Sequence, residues 1–225
     1  MAKSVQIVST KILDPLHKQE LMKYGVEVIE ADFIKTENKP FELQDLNESL
    51  IFTSQNAVRS ILSDPKSEEL IPKLREKNVY CVGLKTKTLL TDNGFNVVAY
   101  TGYASDLAEI ITLIYGNDSY TFFSGNLRRD TLPEALKENG IKFNEIQVYE
   151  TTMQPQKIKS NPEAILFFSP SGVKSYLKDN TINKQICFCI GDTTAEALSK
   201  ITKNIIIADQ PTIEHVIEDV IHEYK

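Results

Sequence analysis

Short apolar runs that end at a serine or a glycine recur along the whole chain. Val5-Gln6-Ile7-Val8-Ser9 has the character of a short strand, and the segment around Leu21 reads as a helix that stops at the C-cap Gly25 before a new strand begins at Val26. The succession returns at an offset of 115 residues, with Val5 falling on Tyr120. There Tyr120-Thr121-Phe122-Phe123-Ser124 answers the first run, and Leu136 with Gly140 answers Leu21 with Gly25. A second pair sets Phe52-Thr53-Ser54-Gln55-Asn56-Ala57-Val58 against Phe167-Phe168-Ser169-Pro170-Ser171-Gly172-Val173, each reading as strand, serine, helix. A third sets Cys81-Val82-Gly83-Leu84-Lys85-Thr86 against Cys189-Ile190-Gly191-Asp192-Thr193-Thr194, each a strand, a glycine turn and a helix start. Strands alternating with helices at this spacing predict parallel sheets with crossover helices, so the chain reads as α/β with two similar doubly wound lobes.

Local chemistry places the helix starts. Ser54 and Ser169 read as N-caps, the latter with Pro170 at the first helical position, and Thr131 with Glu134 and Thr193 with Glu196 have capping-box spacing. These helices follow strands directly, which puts their N-termini at the carboxyl ends of the sheets, the edge where open α/β sheets bind ligands. Two longer strand-like segments, Val28 to Lys35 and Ile146 to Met153, sit at equivalent places in the halves and read as connectors. Two topologies fit: consecutive lobes over residues 1–115 and 116–225, or a chain that leaves the first lobe and returns to it.

Composition narrows the class. With 225 residues, 41% hydrophobic and 25% charged, the chain can bury ordinary cores and resembles neither a disordered segment nor a coiled coil. Met1-Ala2-Lys3 leads into a strand without the apolar core of a leader, and no run approaches a membrane span, so a cytoplasmic protein without membrane attachment is expected. Cys81, Cys187 and Cys189 lie in apolar runs and read as buried reduced thiols without metal-ligand spacing. A net charge of -6 with no basic block argues against nucleic acid.

Common catalytic signatures are missing. There is no dinucleotide fingerprint, phosphate loop or nucleophile elbow, and His17, His215 and His222 fall in helices without metal-binding partners. What remains is a set of Ser, Thr, Asn and Gly turns at helix N-termini, a chemistry suited to holding anions. A two-lobed binding module without turnover would share these features. A hydrolase built on Ser169 would need glycines that are not there.

Five segments in the right order, together with the duplication, resemble the uroporphyrinogen-III synthase family. They are Thr53-Ser54-Gln55-Asn56-Ala57-Val58, Gly125-Asn126-Leu127-Arg128-Arg129 with Leu132, Val148-Tyr149-Glu150-Thr151, Phe168-Ser169-Pro170-Ser171-Gly172-Val173, and Ile190-Gly191-Asp192-Thr193-Thr194-Ala195 with Leu198. The resemblance implies two lobes joined by a two-stranded β connector. Lobe 1 would comprise residues 1–31 with 154–225, lobe 2 residues 38–146, and the connector strands 32–37 and 147–153. It also implies a cofactor-free, metal-free enzyme that closes the linear tetrapyrrole hydroxymethylbilane into uroporphyrinogen III, inverting the terminal pyrrole and losing water, with the substrate in a cleft between lobes.

On the same resemblance Tyr149 is the candidate acid, a phenol that stays protonated at neutral pH and can donate to a departing hydroxyl. The substrate-binding candidates are Ser54, Asn56, Arg59, Lys85, Gly125, Asn126, Arg128, Ser169, Ser171, Gly172, Thr193 and Thr194. Lys174 and Lys11 are further cations on the same geometry. A negative protein holding eight carboxylates must rely on local donors, chiefly helix N-terminal amides and these few cations. Asp192 stands where the family has a glycine turn, an acid beside an expected anion site. A monomer is expected, with transient contact to hydroxymethylbilane synthase.

Overall fold

The computed structural model describes residues 4–225, so Met1-Ala2-Lys3 lies outside the described residues. The chain divides into two compact units, one formed by the residues up to Lys35 with Thr152–Lys225, the other by Thr36–Thr151. The first unit opens with β1 (Val5–Ser9), α1 (Pro15–Lys23) and β2 (Val26–Glu30), and β3 (Ile34–Asn38) leads out of it. The second unit runs β4 (Ser49–Phe52), α2 (Gln55–Ser63), a 3-10 turn at Pro65–Ser67, α3 (Ile71–Arg75), β5 (Asn78–Val82), α4 (Leu84–Asp92), β6 (Asn96–Thr101), α5 (Ala104–Ile114), β7 (Tyr120–Gly125) and α6 (Thr131–Glu138). The long β8 (Phe143–Met153) leads back, and the first unit finishes with β9 (Ala164–Phe167), α7 (Pro170–Asp179), β10 (Ile186–Cys189), α8 (Asp192–Glu196), β11 (Ile205–Ile207) and α9 (Ile213–Tyr224).

The sheets have the orders β11-β10-β9-β1-β2 and β3-β8-β7-β4-β5-β6. With β8, β7, β4, β5 and β6 set against β2, β1, β9, β10 and β11, the five-strand orders coincide. Each unit therefore takes the opening of one sequence copy and the close of the other. The ladders among these strands are parallel. Helices cover both faces, so central strands need apolar residues at every position. Ser49-Leu50-Ile51-Phe52 and Ala164-Ile165-Leu166-Phe167 are accordingly buried throughout.

β3 and β8 run in opposite senses. The Lys39 amide donates to the Val148 carbonyl at 3.0 Å, and the Gln154 amide donates to that of Phe33 at 2.8 Å. Midway, the hydroxyls of Thr36 and Thr151, 115 residues apart and so equivalent in the two copies, lie 3.2 Å from each other.

Three expectations are corrected. Val28 to Lys35 is not one strand, because the chain breaks between β2 and β3. There the Asp32 carboxylate accepts the Ile12 amide at 3.0 Å, the Phe33 amide donates to the Thr10 carbonyl, and the Phe33 ring is fully buried 5.3 Å from that of Tyr176. Thr193 does not cap α8. Gly191 holds the cap position, and the Thr194 and Ala195 amides close the first turn onto its carbonyl, which leaves Thr193 already inside the helix. Thr131 is likewise the first residue of α6, preceded by Asp130 in helical conformation, and no side chain caps that helix. Ser54 and Ser169 do cap, accepting the amides of Asn56 at 3.1 Å and Gly172 at 3.0 Å. Gly25 and Gly140, at φ of 75° and 66°, end α1 and α6 in the left-handed conformation that glycine adopts without strain.

The three cysteines are free and buried, and burial pushes the Cys81 thiol up to about 11 and those of Cys187 and Cys189 up to about 12. A disulfide-exchange reagent at pH 8 should modify none in the native protein and all three in denaturant, because the thiolate is the nucleophile. Fast labelling of the native protein would contradict this burial.

Candidate active site

In the second unit the parallel neighbours β7, β4 and β5 present their carboxyl ends to one edge. Ser54, Gly83 with Lys85, and Gly125 with Asn126 and Arg128 follow those ends. The connection from β4 proceeds toward β5 and β6, that from β7 toward β8, so strand order reverses between β4 and β7. In the first unit it reverses between β9 and β1, and the turns there hold Ser9 to Lys11, Ser169 to Gly172 and Gly191 to Thr194. Such reversal points open a crevice at the carboxyl edge of an α/β sheet.

The second unit brings Tyr149, Gly125 and Asn126 together. The β7–β8 ladder slips by one residue, from Ser124 opposite Gln147 to Gly125 opposite Tyr149. Ile146 and Val148 belong to one face by strand alternation, yet Tyr149 also packs on the core cluster that holds Ile146, Val148, Phe52 and Phe123. The slip turns it there, half-buried and across Gly125. The Asn126 side-chain amide donates to the Thr151 carbonyl at 3.1 Å, and its oxygen accepts the Thr151 amide at 2.8 Å. Asn56 is half-buried in the first turn of α2, whereas Arg59 on that helix and Lys85 in the first turn of α4 are exposed.

Arg128 is differently placed from the expectation of a cation open to substrate. Its Nε and Nη2 donate to the two Glu145 carboxylate oxygens at 2.8 and 2.9 Å, and Nη1 donates to Asp130. This paired fork holds the guanidinium pKa above its usual range. Burial alone would raise the Glu145 carboxyl. The hydrogen bonds from Arg128 and from Ser124, the latter at 2.5 Å, outweigh it and hold the group below 4.5. A carboxyl lowered by folding stabilises the fold above its unfolded pKa, and that contribution is lost as pH falls through the folded value. Glu145→Gln should therefore cost about 1 kcal/mol at pH 7, with the gap to the parent narrowing below pH 4.5. Urea midpoints across pH check it, and a gap independent of pH would contradict the ion pair.

In the first unit Ser169, Ser171 and Gly172 come together at the start of α7. The two serine hydroxyls lie 3.0 Å apart. A Cβ on Gly172 would stand 3.3 Å from Ser169 Oγ and 3.5 Å from Thr10 Oγ1. Thr10, which donates to the Leu166 carbonyl at 2.8 Å, was not among the expected site residues, although it aligns with Gly125 at the 115-residue offset. Thr193 is half-exposed in α8, and Thr194 is 1% exposed with its hydroxyl buried and lacking a hydrogen-bond partner. Asp192 is the exposed first residue of α8. Lys11 and Lys174 are exposed, the latter on α7. No helix among the described residues is long and apolar enough to cross a membrane.

The sequence model of the family described as Uroporphyrinogen-III synthase HemD matches residues 17–218. The chain belongs to the uroporphyrinogen-III synthase family. A Porphyrin biosynthesis protein HemD of Ruminiclostridium josui is 24% identical over 188 residues, 76% of this chain and 37% of that protein. The uroporphyrinogen-III synthase of Saccharomyces cerevisiae is 30% identical over 165 residues, 58% of each chain. The match thus spans less than two thirds of the length of either relative. The crystal structure of a uroporphyrinogen-III synthetase from Helicobacter pylori superposes with a TM-score of 0.73 over 97% of this chain and 99% of that one, at 23% identity. That likeness shows the fold, a mixed α/β chain with two largely parallel sheets.

Proposed function

We propose that the chain is the cyclising synthase of its family, closing hydroxymethylbilane into uroporphyrinogen III with inversion of the terminal pyrrole and loss of water. The substrate is held between the two units, and Tyr149 supplies the acid. The observation that carries this reading is Tyr149 itself, turned across Gly125 at the carboxyl edge beside the β4–β7 reversal in a chain of this family.

The difficulty of the reaction is conformational, since an unaided bilane can close without inversion. Two sets of helix N-termini give anchors for substrate carboxylates, and two anchored ends reduce the freedom that the wrong closure needs. Ser54, Ser169 and Ser171 hold the first turns of α2 and α7 in order so that their amides face the anion. Arg59, Lys85 and Lys174 add charge. Tyr149 gives its proton to the hydroxyl, which leaves as water and generates an azafulvene electrophile. The terminal pyrrole attacks through its substituted carbon to form a spiro intermediate, the older carbon–carbon bond breaks, and the ring closes through its other α-carbon. The proton released there restores the phenol, so no cofactor or metal is consumed. Arg128 serves to hold Glu145 and the β7 turn. A cytoplasmic monomer that takes its substrate in passing from hydroxymethylbilane synthase completes the reading.

Freshly generated hydroxymethylbilane tests the activity. Its consumption should be many-fold faster with the chain present than in the blank, and a rate equal to the blank would contradict the proposal.

A further inference from the structure

We infer that Gly125 and Asn126 are positioning residues for Tyr149, holding its phenol at the carboxyl edge of β7 instead of binding substrate themselves. The inference rests on Tyr149 acting in the proposed reaction and adds how its ring comes to be there.

Three observations converge on that ring. The slip between Ser124 and Gly125 makes Val148 the extra residue of β8 and brings Tyr149 onto the face that alternation would deny it. A Cβ on Gly125 would overlap Cε2 and Cζ of Tyr149 and lie 2.8 Å from its Oη, so the ring occupies the space that a side chain would fill. Gly125 is not among the residues with positive φ, so the requirement there is space and not backbone conformation. Just beyond, Asn126 clamps both backbone groups of Thr151, two residues after Tyr149, and holds the strand where the ladder has slipped. The Asn126 amide thus spends its donor and acceptor on β8.

The test measures turnover and ring position separately. Gly125→Ala should lower kcat by about 100-fold, with KM little changed, because a catalytic group displaced by about 1 Å loses reactivity on that scale. Asn126→Ala, at an exposed residue that leaves the core intact, should lower kcat by about 10-fold. Asn126→Asp keeps the acceptor for Thr151 and loses the donor, and should fall between. In a Tyr149→Phe background these substitutions should cost little more, since the group they position is gone. Losses as large in that background as in the parent, or losses in KM alone, would overturn the inference and return both residues to substrate binding.

Ring position is read independently from fluorine NMR of protein carrying 3-fluorotyrosine, with the Tyr149 signal assigned by its disappearance in Tyr149→Phe. Gly125→Ala and Asn126→Ala should move that signal, and an unmoved signal would overturn the inference whatever the kinetics. If Tyr149→Phe turned over at the parent rate, the acid role would fail, and the fluorine signal would still decide whether these residues hold the ring.

Discussion

Tyr149→Phe is expected to lower kcat by about two orders of magnitude while KM stays within a few-fold of the parent. General acid catalysis contributes on this scale, and removal of a single hydroxyl leaves the ring and its packing on the core cluster that holds Val148 and Phe52 in place. The substitution separates an enzyme from a binding module, because a protein that only held the bilane would lose almost nothing. Initial rates with freshly generated substrate give the answer. A parent-like kcat would remove Tyr149 from the chemistry.

Phe33→Ala should cost about 3–5 kcal/mol, the usual range for emptying a fully buried phenylalanine site. The ring belongs to the first unit's core, beside Tyr176 and among Val8, Ile165, Phe167 and Val173. It also fixes the point at which the chain stops following β2 and departs along β3, so the cavity falls where the backbone most needs an anchor. Against the 5–15 kcal/mol that holds a typical domain together, such a loss removes much of the margin. Urea denaturation followed by far-ultraviolet circular dichroism measures it. A loss under 1 kcal/mol would mean that the break is held by Asp32 and the local hydrogen bonds alone.

That residue also shows where sequence pattern stops being informative. Val28 to Lys35 looks like one β-branched strand, and alternation alone gives no reason to interrupt it. The interruption comes from tertiary bonds, the Ile12 amide to Asp32 and the Phe33 amide to Thr10, between residues about twenty positions apart. The strands, their alternation with helices and the serine caps were readable because they depend on neighbours in sequence, as Ser54 bonds two residues on and Ser169 three, whereas which topology the chain takes was not. Capping-box spacing misled at Thr131 and Thr193 because spacing fixes no boundary: α6 begins at its threonine and α8 one residue before its own, so each threonine lies inside the helix and not at the cap.

The site was legible to the same extent. Resemblance brought Gly125, Asn126 and Tyr149 to notice but could not show that the Tyr149 ring lies across Gly125 while Asn126 bonds the backbone of Thr151, since this depends on a one-residue slip in a ladder that no local pattern reports. Arg128 read as a cation available to substrate because Glu145, 17 residues away, carries no motif that pairs it with an arginine.

A chain that enforces the inverted closure must change which isomer forms. The most direct measurement supplies freshly generated hydroxymethylbilane, oxidises the product and separates the type I and type III porphyrins by chromatography. Type III should be the dominant isomer with the chain present and type I in its absence. Type III no higher than in the enzyme-free control would contradict it.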